Sequence, residues 1–347
     1  MIKSLKSKKI LLLHSNSGEF LENWHIKRQH EANSLGYQLT TFNMSTLHEY
    51  VIFPQLDFLW KKKDPKLIKF YETIRTLISN CDILIHFGGA LLHPEFLKQF
   101  SVLKIYHCAD DPDSSNVISK PVSHAYDIHA ISNPSVLADY QSWGCKKVFF
   151  WPLGSFHYSE EMSKSNFTYE SYLKRSNELA FVGSKYGVPR FRYFNRIPII
   201  GSHHVFWRKK QFFTKLERSF PNMAAYGSYW DKGFIDNTNL CSLYEDTRIG
   251  INVHNSIGPI NARLFDLAAF GVLQVCDNKD KLSSVFELDQ EILGFNSINE
   301  AIDLIKNYSV DTESAFKIAS NARERFLNQY THKAIWSGFF ENLNNFI

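Results

Sequence analysis

The sequence contains no apolar run approaching the roughly 20 residues that a membrane span requires. Its basic N-terminus leads into an apolar stretch at residues 10–13, too short for a secretory signal. The expected location is therefore cytoplasmic, extending to the inner face of a membrane where basic segments meet lipid. Cysteine is scarce. Cys81, Cys108, Cys145, Cys241 and Cys276 are odd in number, and no pair has metal-ligand spacing. They read as thiols of a reducing compartment. Several signatures are missing as well. Without Gly-x-Gly-x-x-Gly or a Gly-x-x-x-x-Gly-Lys run, dinucleotide and P-loop chemistry lose their support. Ser17 has no Gly-x-Ser-x-Gly context, so a hydrolase triad is unsupported. A net charge of +4 is too mild to demand nucleic acid, though it suits an anionic ligand. No repeat or low-complexity tract is present.

What is present is an alternation. Short apolar runs at 9–14, 37–42, 82–87, 103–108, 127–131 and 148–151 read as strands, with helical patterns at 20–35 and 67–79. Strands alternating with helices imply parallel βαβ units whose ligand loops follow the strand C-termini. A polar stretch, 155–177, interrupts the rhythm, which then restarts. Strands are expected at 178–182, 223–226, 248–253 and 272–276, and helices at 205–220, 240–246, 261–270, 297–307 and 312–329. The last helix carries Ile335, Trp336, Phe339, Phe340, Leu343 and Phe346 on one stripe. That stripe is too apolar for water, so the helix is expected to fold back on the first domain. The resulting division is 1–155, a linker at 156–177, a second domain at 178–330, and a returning helix at 331–347.

The most informative segment runs from Arg248 to Asp277. A strand delivers Asn252, His254 and Asn255 to a loop that opens a helix near Asn261. A helix N-terminus offers unpaired N–H groups and the positive end of a dipole, which suits a diphosphate. Arg263 and Asp266 are three residues apart and share a helical face. Arginine there can pair with phosphate, and a carboxylate can accept from ribose hydroxyls. A surface ion pair is the plainer reading of the same two residues.

The order strand, Asn-x-Arg-Leu-Phe-Asp, two alanines, Gly and a second strand ending in Asp resembles the nucleotide-sugar segment of GT-B glycosyltransferases, in particular the CgeB-like (spore-maturation-protein-like) branch. That branch carries Glu where this chain has Asp266. Many retaining members carry another Glu where this chain has Gly258, which leaves sugar and stereochemistry open. Phe181-Val182-Gly183-Ser184 with Arg190 resembles the family's first donor-domain strand and phosphate loop. Tyr226-Gly227 with Trp230 resembles its stretch near the nucleotide base. Tyr106–Pro112 resembles an Asp-Asp-Pro loop facing the inter-domain cleft. The resemblance implies an α/β GT-B architecture: two Rossmann-like doubly wound domains facing a cleft. It implies a donor cradle of Gly183, Ser184, Arg190, Tyr226, Gly227, Trp230, Asn252, His254, Asn255, Asn261, Arg263 and Asp266.

Further candidates follow strand ends. Asp110 or Asp111 could deprotonate an acceptor hydroxyl, or simply stabilise a turn before Pro112. His14, at the end of the first strand, is a second base candidate. Ser17, Gly18, Gly88 and Gly89 are placed at the acceptor side of the cleft. Asp111-Pro112-Asp113 matches an Asp-x-Asp metal pattern, but phosphate loops in a second Rossmann-like half make a metal unnecessary. His203-His204 reads as structural. The expected activity is transfer of a sugar from a UDP- or GDP-linked donor to a hydroxyl acceptor, with no cofactor and no specific nucleic acid. The basic segment 61–66, read as a loop, hints at a membrane-associated glycolipid acceptor. The alternatives are a nucleotide-sugar epimerase and a non-catalytic nucleotide-sugar or glycan-binding protein.

Overall fold

The structure, a computed structural model, describes residues 5–15, 18–46, 52–163, 166–185, 202–254, 260–277 and 279–347; at 46, 163 and 202–208 it describes the backbone alone. The chain divides into two compact units, Met1–Leu153 with His332–Ile347, and Gly154–Thr331.

The first unit is built on six parallel strands: β1 (Lys9–His14), β2 (Gln38–Asn43), β3 (Ile83–Phe87), β4 (Leu103–His107), β5 (Ile128–Ile131) and β6 (Val148–Phe150). Their order is β2-β1-β3-β4-β5-β6. The inner strands are buried along most of their length because helices cover both faces of the sheet. Chain direction across the sheet reverses between β1 and β3. That opens a crevice at the strand ends, near Ser15 and Gly88. Helix Pro65–Ser79 turns Leu67, Phe70, Tyr71, Ile74 and Ile78 inward. The returning helix His332–Phe346 buries Ile335, Trp336, Phe339, Phe340 and Leu343 within this unit. Tyr37 stacks on Phe340 at 3.4 Å between ring centres, and Trp151 meets Phe339 at 4.6 Å.

The second unit has five parallel strands: β7 (Asn177–Val182), β8 (Ala224–Tyr226), β9 (Thr247–Asn252), β10 (Leu273–Cys276) and β11 (Leu293–Gly294), in the order β11-β10-β9-β7-β8. Its direction reverses between β7 and β9, so the winding of the first unit is repeated. Helix Ala262–Ala269 lies close to the sheet because Gly250 faces Leu267 and Val272 with no room for a β-carbon.

Two expectations need correction, and one strand is added to those expected. Residues 61–66 are not one loop. Lys61 ends a helix, Phe53–Lys61, and Lys66 lies in the first turn of Pro65–Ser79, whose N-cap Asp64 accepts from the N–H groups of Lys66 and Leu67. The lysine run had masked the cap between the two helices. Residues 156–177 are not a free linker. Tyr172 is buried in the second core, and Arg175 donates to the carbonyls of Thr247, Phe270 and Gly271. β11 escaped sequence reading because two residues carry no periodicity.

Candidate functional site

The crevice of the second unit lies beyond Val182 and Asn252, and the side chains there interlock. Asn261 caps helix Ala262–Ala269 by accepting from the Leu264 N–H at 3.0 Å. Its amide exchanges two hydrogen bonds with Asn252, at 2.8 and 3.1 Å. Asn252 Oδ1 also accepts from Arg263 Nη1 at 3.0 Å. The guanidinium lies over the Phe181 ring, 4.9 Å from its centre. Phe181 on β7, Asn252 on β9 and the helix cap Asn261 thus hold Arg263 in one orientation at the crevice.

Two glycines make that orientation possible. Gly183 has φ +154°, and a β-carbon on it would collide with the Arg263 guanidinium. Gly227, at φ +122°, has no room for a β-carbon because the Gly183 carbonyl occupies that space. Gly183 donates its N–H to the Tyr226 carbonyl at 2.8 Å, and its own carbonyl accepts from Trp230 Nε1 at 2.9 Å. Ser184 and Tyr226 are half-buried beside this collar. The backbone after β7 therefore approaches an arginine closely, the arrangement a diphosphate needs.

His254 and Asp266 are turned inward. The His254 N–H donates to both carboxylate oxygens of Asp277 at 3.1 Å, and its Nδ1 donates to Oδ1 at 2.5 Å. Among the described residues, His254, Cys276 and Asp277 are the one group whose donor atoms lie close enough to hold a metal, within 4.8 Å of one another. Burial pushes the Cys276 thiol well up, and the other two are bonded to each other. Asp266, expected to present its carboxylate to ribose, is buried. Its Oδ1 accepts from Ser155 Oγ at 2.5 Å and the Phe156 N–H at 3.0 Å, and His157 Nδ1 lies 3.2 Å from Oδ2. This is a correction. A short Asp side chain stays near its own helix, and the turn at 155–157 folds onto it. Arg190 and Asn255 lie outside the described residues.

A cavity of about 320 Å³ opens beside Val253, Asp277 and Phe295, at the C-terminal ends of β9, β10 and β11. Lys209 and Lys281 line it together with Ser297, the N-cap of helix Ile298–Val310. Lys209 belongs to a basic run, 208–210, that reads as solvated surface, yet it is only 2% exposed.

In the first unit, Asp110 is exposed on the loop after β4. Asp111 is buried and accepts from Ser115 Oγ at 2.8 Å, Ser119 Oγ at 2.7 Å and Tyr140 Oη at 2.7 Å. Burial holds its carboxyl above the usual range despite those donors. Asp111 is a loop organiser and is not placed as a base, which corrects that expectation. His14 is likewise not displayed. It is fully buried and stacked on His25 at 3.8 Å, and burial lowers its pKa to about 4. A β1 terminus facing the crevice suggested an exposed imidazole, but the side chain lies on the aromatic side of the strand. Gly18 is the N-cap of helix Glu19–Ser34. The Gly88 N–H donates to the His107 carbonyl, and the Gly89 carbonyl accepts from Tyr106 Oη. Ser17 lies outside the described residues.

Residues 208–340 match a family model described as glycosyl transferase-like. No curated protein sequence matches the chain significantly. Among solved structures, Anabaena Alr3699/HepE in complex with UDP-glucose is similar at TM-score 0.60 and 13% identity, covering 97% of this chain and all of that one. A glycosyltransferase from Rickettsia africae aligns at TM-score 0.61 and 13% identity, covering 98% and 99%. A UDP-N-acetylglucosamine 2-epimerase (so assigned) from Listeria monocytogenes aligns at 0.54 and 10%, covering 97% and 96%. At such identities the likeness establishes the fold, and that fold is GT-B: two Rossmann-like units with parallel, doubly wound sheets.

Proposed function

We propose that this chain transfers a sugar from a nucleoside-diphosphate sugar to a hydroxyl acceptor, as a CgeB-like member of the GT-B glycosyltransferases. One observation carries the reading. Arg263, held by Asn252 and Asn261, packs against Gly183 where a β-carbon would collide with it, so a cation and bare backbone stand together at the crevice. Support comes from the glycosyl transferase-like match over 208–340 and from the likeness to a protein that holds UDP-glucose.

In this reading the diphosphate lies beside the Gly183 backbone and the Arg263 guanidinium, which are packed together. As the bond to the sugar breaks, negative charge builds on the departing phosphate. A preorganised cation and N–H groups stabilise it without reorganising. Arg190 and Ser184 are assigned to the same diphosphate, and Tyr226, Gly227 and Trp230 to the base. Asp266 positions the 155–157 turn, and ribose is assigned to Asn255. Asp110 takes the proton of the acceptor hydroxyl. No metal or cofactor is assigned, and the donor is UDP- or GDP-linked. The acceptor is a glycoconjugate. Lys61, Lys62, Lys63 and Lys66 stand beside Phe58, 54% exposed, and Ile68, 44% exposed, which favours a glycolipid at an anionic membrane surface. None of the described helices is long and apolar enough to cross a membrane.

A thermal-shift screen against UDP, GDP and their sugar conjugates tests the donor site. A true donor at 100 times its dissociation constant is expected to stabilise by about 2.7 kcal/mol. No shift with any nucleotide would sink the proposal. The Listeria likeness keeps an epimerase as a second reading, favoured by sugar interconversion without acceptor. Donor binding without turnover over a broad acceptor panel would favour a binding protein, the reading suggested by Gly258 and Asp266 in place of glutamates. Vesicles with and without anionic lipid, in co-sedimentation, test the membrane assignment.

A further inference from the structure

Arg28, on helix Glu19–Ser34, is 1% exposed in the interior of the first unit. Its guanidinium carbon lies 4.5 Å from a Trp24 ring centre, 4.7 Å from Trp151, 5.3 Å from Phe87 and 5.6 Å from Trp336. None of its three nitrogens has a hydrogen-bond acceptor among the described residues, and no carboxylate there pairs with it. The indole nitrogens of Trp151 and Trp336 are in the same position. Guanidinium and indole only donate, and the acceptors near them are ring nitrogens of neutral imidazoles, which bring no counter-charge.

The surrounding histidines do not supply the missing charge. His14, His107 and His332 are each pushed down by burial, to about 4, about 3 and about 3, and are neutral at pH 7. His107 gives its Nδ1 proton to the Ala130 carbonyl at 2.5 Å. Burial lowers Arg28 to about 9, so it stays protonated at neutral pH. Four aromatic faces offset part of the cost of burying that charge. They offer no lone pairs to N–H groups in the guanidinium plane. Water would satisfy the donors and leave the charge unpaired, whereas an anion does both.

We propose that the first unit binds a small monovalent anion of halide size, held by the Arg28 guanidinium and the indole N–H groups of Trp151 and Trp336. Such an ion would join three segments distant in sequence: helix Glu19–Ser34, the residue after β6, and the returning helix through Trp336. It is separate from the donor site, which lies in the other unit.

The test is thermal unfolding of the full chain at pH 8, in chloride or bromide against gluconate at equal ionic strength. The midpoint is expected to climb with each decade of halide and to stay flat in gluconate. Arg28→Met is expected to lose the halide dependence and keep nucleotide binding in the second unit. A wild-type midpoint indifferent to halide would overturn the proposal, as would halide dependence retained in Arg28→Met. If that variant does not fold, bromide-soaked crystals of the wild type decide. An anomalous peak among Arg28, Trp151 and Trp336 supports the site, and water density alone there overturns it.

Discussion

Asp110 and Asp111 are neighbours in sequence and opposites in environment. Asp110 faces solvent, while Asp111 is buried and takes hydrogen bonds from Ser115, Ser119 and Tyr140. Their substitutions should separate cleanly. Asp110→Asn is expected to leave stability within about 0.5 kcal/mol and to lower kcat by about 10²–10⁴-fold. Asp111→Ala leaves three buried hydroxyls without an acceptor and is expected to cost about 1–3 kcal/mol or more. Urea unfolding and transfer kinetics of both variants check this, and a stable but inactive Asp111→Ala would reverse the assignment. Gly183→Ala places a methyl against Arg263. It is expected to weaken donor binding at least tenfold, about 1.4 kcal/mol, with the fold retained. Unchanged affinity by calorimetry would remove Arg263 and Gly183 from the diphosphate site. These outcomes show how much a residue's role depends on its surroundings. Asn261 as a helix cap was legible from Asn before an apolar-periodic run. The inward turn of Asp266 was not, because its donors come from residues about 110 positions earlier.

At the scale of elements, the returning helix His332–Phe346 shows what patterning can specify. Its apolar stripe foretold burial, and it packs in the first unit through Trp336, fully buried against Trp151 and Phe340. Trp336→Ala is expected to cost about 3–5 kcal/mol, read from denaturant midpoints. The same region should be acid-sensitive. His14, His25, His86, His107 and His332 all have pKa values lowered by burial from an ordinary 6.5. Between that value and about 3–4 the unfolded chain binds protons that the folded chain refuses. Stability is thus complete above pH 6.5 and falls as pH drops below it. Each histidine contributes a slope of up to about 1.4 kcal/mol per pH unit. Asp111, raised by burial, opposes this at the acid end. Unfolding midpoints measured from pH 8 to pH 4 check the sign. A flat profile would mean that these imidazoles remain solvated.

For the whole molecule, the repeated winding matters most. Each unit reverses strand order once, between β1 and β3 and between β7 and β9, and each reversal opens a crevice lined by strand ends. Loops there can change chemistry without disturbing the sheets, so fold and function separate. The expected metal independence is tested at this scale. Transfer activity should persist in excess EDTA, and strict Mn²⁺ dependence would return His254, Cys276 and Asp277 to consideration as ligands.

The strand runs, the helix patterns, the apolar last helix and the order of Gly183, Tyr226-Gly227, Asn261 and Arg263 were determined by the sequence itself. Periodicity, capping and glycine placement are local, and local physics writes them into neighbouring residues. The tertiary structure alone decided which acidic and imidazole groups are available. Asp111, Asp266 and His14 looked functional by position and are enclosed by partners far along the chain. The aromatic enclosure of Arg28 carried no sequence signal, and the basic run 208–210 gave no sign that Lys209 is buried. Burial and charge compensation arise from contacts between distant segments, and no window of sequence contains both partners of such a contact.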